Sequence, residues 1–280
     1  MTQFRKKAII YILLTGMFAC TGMAQCRHDN KAFQAGESLV YDLYFNWKFI
    51  WVKAGTTYFD IKNTQYAGQK ALRTDILFQS NKTCSRYFPM RDTLISITTQ
   101  DLKPLYFRKG ALEGKQYTVN EVWYTYSNGQ AHLRQKFLDR NGEWSSRQTD
   151  CNECINDMLS ILADARCTDY SKYKEGRRIN FQMASGKRLS NQILIYRGIK
   201  NFKANDDKTY RCLVFSVLDE HEKKKEKELM RFFITDDANH LPVRIDFFLK
   251  FGIAKAYYVS GKGIRNPQTA IVQKKTKNNK

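Results

Sequence analysis

The chain of 280 residues carries 47 Lys and Arg against 27 Asp and Glu, a formal net charge of +20. Its length is enough to bury a core without disulfide or metal staples. The charge points to anionic partners such as phospholipid headgroups, lipopolysaccharide phosphates or acidic glycans, unless it only solubilises strand faces that look into water.

Arg5, Lys6 and Lys7 precede a mostly apolar run from Ala8 to Ala19, and Gly22-Met-Ala24 sets small residues ahead of Gln25. That order is the pattern of an export signal over residues 1–24. The run is shorter than the about 20 residues that a bilayer span takes, and no later segment matches it. An exported, soluble chain is therefore expected, in the periplasm or at the outer-membrane periphery of a Gram-negative bacterium. Acylation of Cys20 or Cys26 is the weaker reading, since Phe18 and Gln25 stand where small residues belong. Removing residues 1–24 takes away three positive charges and leaves +17. Export also argues against nucleic acid, the usual partner of so basic a chain.

Residues 25–35 read as an extended lead-in. Leu39, Tyr41, Leu43, Phe45 and Trp47 then occupy every second position, the period of a half-buried strand. Residues 50–61 are its hairpin partner, with Gly55 marking a bend, a bulge or a close approach. Further strands are expected over 71–78, 91–99 and 105–108. A meander follows over 117–126, 130–138 and 144–148. Its turns are Asn128-Gly129 and Asn141-Gly142, pairs suited to the positive φ of a type I′ turn. Later strands are expected over 178–183, 189–197, 210–219, 229–235, 242–249 and 253–260. Residues 221–228 form a charged hairpin tip or a short helix, and 264–280 a basic, disordered tail. Residues 97–107 and 234–245 echo one another as strand, Asp-containing turn, proline and strand. That is either a duplicated sheet motif or two uses of one turn chemistry.

One convincing helix is expected over 151–166. Ile155, Met158, Leu159 and Leu162 give it an apolar stripe at i, i+3, i+4 and i+7, and Asn152 or Asn156 is placed to cap it. About a dozen strands, one main helix and no linker define a mostly β single domain over 36–263. The expected architecture is a curved antiparallel sheet or incomplete β-barrel, with the helix packed on or in its concave face.

Six cysteines follow the signal cleavage, an even number that permits disulfides. Three of them, Cys151, Cys154 and Cys167, flank the helix. A CxxC pair at a helix N-terminus favours a thiolate, but thioredoxin-like chemistry needs a βαβ context that is missing here. Zinc needs four ligands, and no histidine lies near these three cysteines in sequence. A structural disulfide in this cluster is the favoured reading, with buried thiols next. No serine or cysteine nucleophile has a base in a recognisable local arrangement. Asp236 and Asp237 suit a turn better than a calcium loop. No catalytic residue, metal or cofactor is expected.

Phe33-Gln-Ala-Gly-Glu-Ser-Leu-Val-Tyr41, Ala54-Gly55, Phe88-Pro-Met-Arg-Asp92, Asp157-Met-Leu-Ser160 with Arg166, and Leu241-Pro-Val243 form a thinly spread set. Together they resemble the exported bacterial proteins grouped as domain of unknown function 3108, over roughly residues 33–263. The resemblance implies export, a β-rich fold and no established activity. The cysteine pair and the long charged hairpin are not features of that family's pattern.

Aromatic residues on strands are mostly core material. Where the helix does not fill the sheet, Tyr41, Phe45, Trp47, Trp123, Met158 and Leu162 would line an apolar groove for an acyl chain or hydrophobic peptide. The leading expectation is a non-enzymatic, exported envelope protein that binds a lipid or another hydrophobic or amphipathic ligand. Its basic residues would assist contact with an anionic membrane or glycan surface. The second is a structural or assembly protein that binds another envelope protein through strand edges. The third is an uncharacterised envelope enzyme. Oligomeric state is not legible.

Overall fold

The computed structural model describes residues 29–47, 50–87, 89–151, 154–219, 226–249 and 252–272. The export signal, Cys20, Cys26, Asn152, most of the charged run at 221–228 and residues 273–280 lie outside the described residues. The first part of the expected disordered tail, 264–272, is instead packed on the sheet, with Ile271 bridging Tyr210 and Ala270 buried.

The first half of the sheet consists of β1 (Ser38–Trp47), β2 (Ile50–Tyr66), β3 (Gln69–Ser80), β4 (Met90–Thr99), β5 (Pro104–Glu113), β6 (Gln116–Ser127), β7 (Gln130–Leu138) and β8 (Trp144–Cys151). The second half consists of β9 (Ile155–Asn156), β10 (Arg178–Ala184), β11 (Leu189–Lys203), β12 (Thr209–Asp219), β13 (Lys227–Thr235), β14 (Pro242–Leu249) and β15 (Gly252–Lys262). Two helices accompany them, α1 (Lys82–Tyr87) and α2 (Ser160–Cys167).

All fifteen strands belong to one sheet, ordered from β8 down to β1, then β15 down to β9. Sequence neighbours are thus antiparallel neighbours, with two departures. β1 pairs with β15, so the two ends of the domain meet in mid-sheet. β9 pairs with β10 in parallel. The edges that remain, β8 and β9, are consecutive in the chain, and the sheet is a nearly closed barrel. Packing rather than a ladder draws the seam together. Gln135 on β7 is fully buried; its amide donates to the Ser185 carbonyl after β10, and its Oε1 accepts from the Thr149 hydroxyl of β8 at 2.9 Å. A Cβ on Gly186 would stand 1.9 Å from the Lys136 carbonyl oxygen, so only glycine lets this turn reach the β6–β7 backbone.

The expected helix over 151–166 is replaced by the end of β8, the short β9 and an eight-residue α2. Asp157 is the cause. Its Oδ1 accepts the Leu159 and Ser160 N–H groups at 2.8 and 2.9 Å, while the Ser160 hydroxyl accepts the Asp157 N–H at 2.8 Å. This reciprocal arrangement satisfies the first N–H groups of the helix and leaves Ile155–Asn156 extended to pair with β10. Asn156 is not the cap; its amide donates to Asp164 at 2.8 Å.

Other turn expectations fare according to their chemistry. Asn128 and Gly129 both take positive φ, 51° and 77°, as a type I′ turn requires. At the next turn only Gly142 does so (φ 85°); there Asp139 Oδ1 holds a wider loop by accepting from the Asn141 and Glu143 N–H groups. Gly55 is a close approach, with a Cβ there falling 2.1 Å from the Gln79 carbonyl oxygen. The echo between 97–107 and 234–245 is one turn built twice. Thr99 bonds Asp101 as Thr235 bonds Asp237, Leu102 and His240 both take positive φ, and each returning strand is bulged at its proline, Pro104 or Pro242.

α2 and the residues leading into it contribute to core clusters on both halves of the sheet. Ile155 and Leu159 join Phe107, Val122 and Leu133, whereas Ala165 joins Tyr196, Phe215 and Phe232. The face of the sheet that carries these residues is called the core face below.

Candidate functional site: a half-filled apolar mouth

Strand direction sorts the connections into two ends. The turns at 67–68, 100–103 and 236–241 and the lead-in to Ser38 lie at one; the connections after Trp47, Glu113, Leu138 and Leu249 lie at the other.

The first end is closed by a buried ion pair. Arg166, at the last turn of α2, is 1% exposed and presents both terminal nitrogens to the Glu37 carboxylate, itself 0% exposed, with Nη2 at 2.9 Å from Oε2. Its Nε donates to the Asn239 carbonyl at 3.1 Å, and the Phe33 ring lies under the guanidinium at 4.9 Å. His240 Nδ1 lies 2.7 Å from the Arg166 carbonyl, and burial lowers its pKa. Such a pair is costly to desolvate, and bidentate geometry with further hydrogen bonds is what offsets that cost. Asp157 sits deeper, with Oδ2 accepting the Ser96 hydroxyl of β4 at 2.9 Å. Burial pushes its carboxyl up to about 6, against the pull of its hydrogen bonds with Ser160, Leu159 and Ser96.

Toward the other end the core face becomes more exposed on β14, β1 and β2, while on β3 Phe78 stays buried. On β14 the core-face series runs from Val243, 0% exposed, through half-buried Ile245 and Phe247 to Leu249 at 51%. On β1 it runs from Leu39 and Tyr41, both buried, to half-buried Leu43 and Phe45. On β2 it runs from buried Ile61 and Phe59 to Val52 at 41% and Ile50 at 69%. Phe45 stands opposite both Val52 and Ala254, which places these series side by side on one face. Leu162 of α2 and Met158 just before it are half-buried; Leu162 packs in the cluster that holds Leu43 and Phe247, and Met158 in the one that holds Ile76 and Leu94. The result is a mouth whose core face is apolar along β1, β2 and β14 and polar on β4 and β5, where Asp92 and Lys109 stand 4.0 Å apart.

The six residues expected to share a groove are divided. Phe45 lies half-buried on the core face of β1, while Leu162 and Met158 pack in two separate clusters. Tyr41 belongs to the closed end, where its hydroxyl donates to the Pro242 carbonyl at 2.9 Å and burial raises its pKa. The Trp47 side chain lies outside the described residues. Trp123 points from the opposite face into a lateral cleft of about 1190 Å³, shared with Tyr66, Lys70 and Arg134. There its ring meets Tyr106 at 5.6 Å and the Arg134 guanidinium at 4.2 Å. Of the cysteines, Cys154 is disulfide-bonded, whereas Cys151 and Cys167 are thiols. The three therefore close no bridge among themselves. Burial pushes the Cys167 thiol up to about 11, far from a reactive thiolate.

One chemical constellation escaped the sequence reading. The Ser127 hydroxyl lies 2.8 Å from His132 Nε2, and His132 Nδ1 lies 2.8 Å from Asp150 Oδ1. The order is that of a serine hydrolase triad, but its surroundings are not. The Asp150 side chain is 70% exposed, so water screens the charge that would orient and stabilise an imidazolium. His132 and Asp150 border the lateral cleft, while Ser127 is not among its lining residues. Among the described residues no group of three His, Cys, Asp or Glu side chains is placed to hold a metal ion.

Fold and site together define a barrel-like β protein with a buried ion pair at one end and a more exposed, partly apolar core face at the other. The chain belongs to the family described as protein of unknown function DUF3108, whose model matches residues 40–259. Its fold is similar to the crystal structure of a β-barrel-like protein of domain of unknown function DUF1849 from Brucella abortus. That likeness has a TM-score of 0.54 at 7% identity and covers 82% of this chain and 98% of that one. A protein described as exported, with a YmcC-like fold, from Bacteroides fragilis covers 84% of this chain and 99% of its own. Its TM-score of 0.33 at 7% identity adds nothing to the fold assignment. No curated protein gives a significant match.

Proposed function

We propose that this is a non-enzymatic, exported envelope protein that takes the apolar part of a lipid or other amphipathic ligand into the mouth of its barrel. In this reading α2 lies within the concave face, fills it at the Glu37–Arg166 end and stops short of the other. The observation that supports it is the run of exposure along β1, β2 and β14, from buried to open on one apolar face. Side chains of that kind gain little from folding where they stand; covering them with an acyl chain would recover roughly 25 cal/mol for each Å² removed from water. Export rests on the pattern of residues 1–24, and the expected place is the periplasm or the outer-membrane periphery of a Gram-negative bacterium.

Native mass spectrometry of protein purified gently from the envelope tests this reading. A co-purified mass that is lost on delipidation and restored by added fatty acid or phospholipid is expected. A protein that carries no lipid and accepts none would overturn it. A stoichiometric protein partner in the same spectrum would favour an assembly role instead.

A further inference from the structure

Four of the large hydrophobic side chains exposed on the described surface, Ile50, Trp51, Val52 and Leu249, stand on two adjoining hairpin ends. They adjoin because β1 pairs with β2 on one side and with β15 on the other. Ile50, Val52 and Leu249 continue the core face. Trp51 turns the other way, with the Lys255 ammonium 4.1 Å from its ring centroid. Lys53, half exposed, follows two positions behind and bridges Asp42 at 2.7 Å. From the rim inward the order is therefore bare hydrocarbon, an indole, then cations on long apolar stems. Tryptophan favours the boundary between acyl chains and headgroups, and lysines behind it can keep their charge among anionic headgroups.

We propose that Ile50, Trp51, Val52 and Leu249 insert into the surface of a bilayer containing anionic phospholipid and hold the mouth against it. The net charge of +17 left after removal of residues 1–24 is complementary to such a surface. The core-face series on β1, β2 and β14 leads inward from this rim, so the docked surface would also be the source of the ligand. That last step rests on the function proposed above; the docking does not.

Flotation of the purified protein with vesicles tests the docking. Binding to mixed phosphatidylethanolamine–phosphatidylglycerol vesicles is expected, weakened about tenfold or more on phosphatidylcholine alone and reduced by salt. Combined Ile50→Ser, Trp51→Ser and Leu249→Ser should cut binding to the anionic vesicles by about tenfold or more. Ile199→Ser removes an equally exposed side chain (54%) on β11 and should bind as the unaltered protein does. Unchanged denaturant midpoints would show that both variants are folded. The proposal is overturned if the unaltered protein stays unbound, or if the triple variant floats as well as Ile199→Ser, even where a protein partner covers the rim. A protein that floats yet never carries lipid in native mass spectrometry would sink the carrier reading and leave the docking standing.

Discussion

The two ends of the barrel share strands and residue types but differ in what meets the core face. At the closed end, Leu39, Ile61 and Val243 are covered by a helix terminus that brings Arg166 to Glu37 and Asn239. At the mouth, Val52 and Leu249 stand exposed and Phe45 half-buried, while Phe247 still shares a cluster with Leu162 of α2. The lesson is that the polar groups act as the stopper. In the reading proposed above, a charge pair with one geometry seats the helix at one end and leaves the other open.

The largest effect should come from unseating the stopper. Arg166→Met leaves Glu37 buried without its partner, and a loss of about 3–5 kcal/mol in denaturant unfolding is expected. A loss under about 1 kcal/mol would mean that the closed end is held by apolar packing alone.

Asp157 comes next, because it starts the helix that Arg166 ends. An aspartate in the unfolded chain titrates near about 3.9, and burial lifts this one to about 6 in the fold. Between those values the folded chain keeps a proton that the unfolded chain has released. The carboxyl's contribution to stability is therefore fully present below about pH 4 and lost as pH rises through about 6. Asp157→Asn keeps an acceptor for the two N–H groups without the charge. Relative to this variant, the unaltered protein should lose up to about 3 kcal/mol between pH 4 and 7. Parallel stability curves for the two would refute the assignment.

Phe247→Ser at the mouth should behave in the opposite sense. Half-buried, it should cost no more than about 1 kcal/mol of stability while sharply reducing the lipid seen by native mass spectrometry. A large loss of stability with lipid retained would mean that the mouth is ordinary core. The smallest expected effect is none at all: Ser127 should not be labelled by a fluorophosphonate, since the exposed Asp150 leaves its hydroxyl close to ordinary reactivity. Labelling that vanishes in Ser127→Ala would instead favour the enzyme reading.

Much of the fold was legible because strands with one buried face alternate in sequence, as β1 does from Leu39 to Trp47. Gly55, the Asn128-Gly129 turn and the paired Thr–Asp turns were legible for the same kind of reason, a residue type tied to one backbone geometry. The site was legible only in part. Trp123 has equally apolar neighbours in Val122 and Tyr124, so alternation there names no face; the pairing of Val122 with Gln135 and Phe107 does. The stripe from Ile155 to Leu162 suits a helix, and only the Asp157 side chain, bonded to the backbone just ahead, shows where it must start. Ser127 and His132 flank one hairpin turn and Asp150 lies on the next strand, so only the register set by the Asn-Gly turn and the β7–β8 pairing brings the three together. The opening itself had no sequence signal, because Phe and Leu read alike whether covered or bare.

The mid-sheet pairing of β1 with β15 has a consequence for assembly. Ser38 must find Lys262 across almost the whole domain, whereas most other antiparallel pairings join strands that are consecutive in the chain. Loop-closure entropy makes so distant a contact slow to form. Until it forms, the chain is two separate meanders, each with a bare edge. Linking the two termini and opening the chain between β8 and β9 would make that slow pairing a local one.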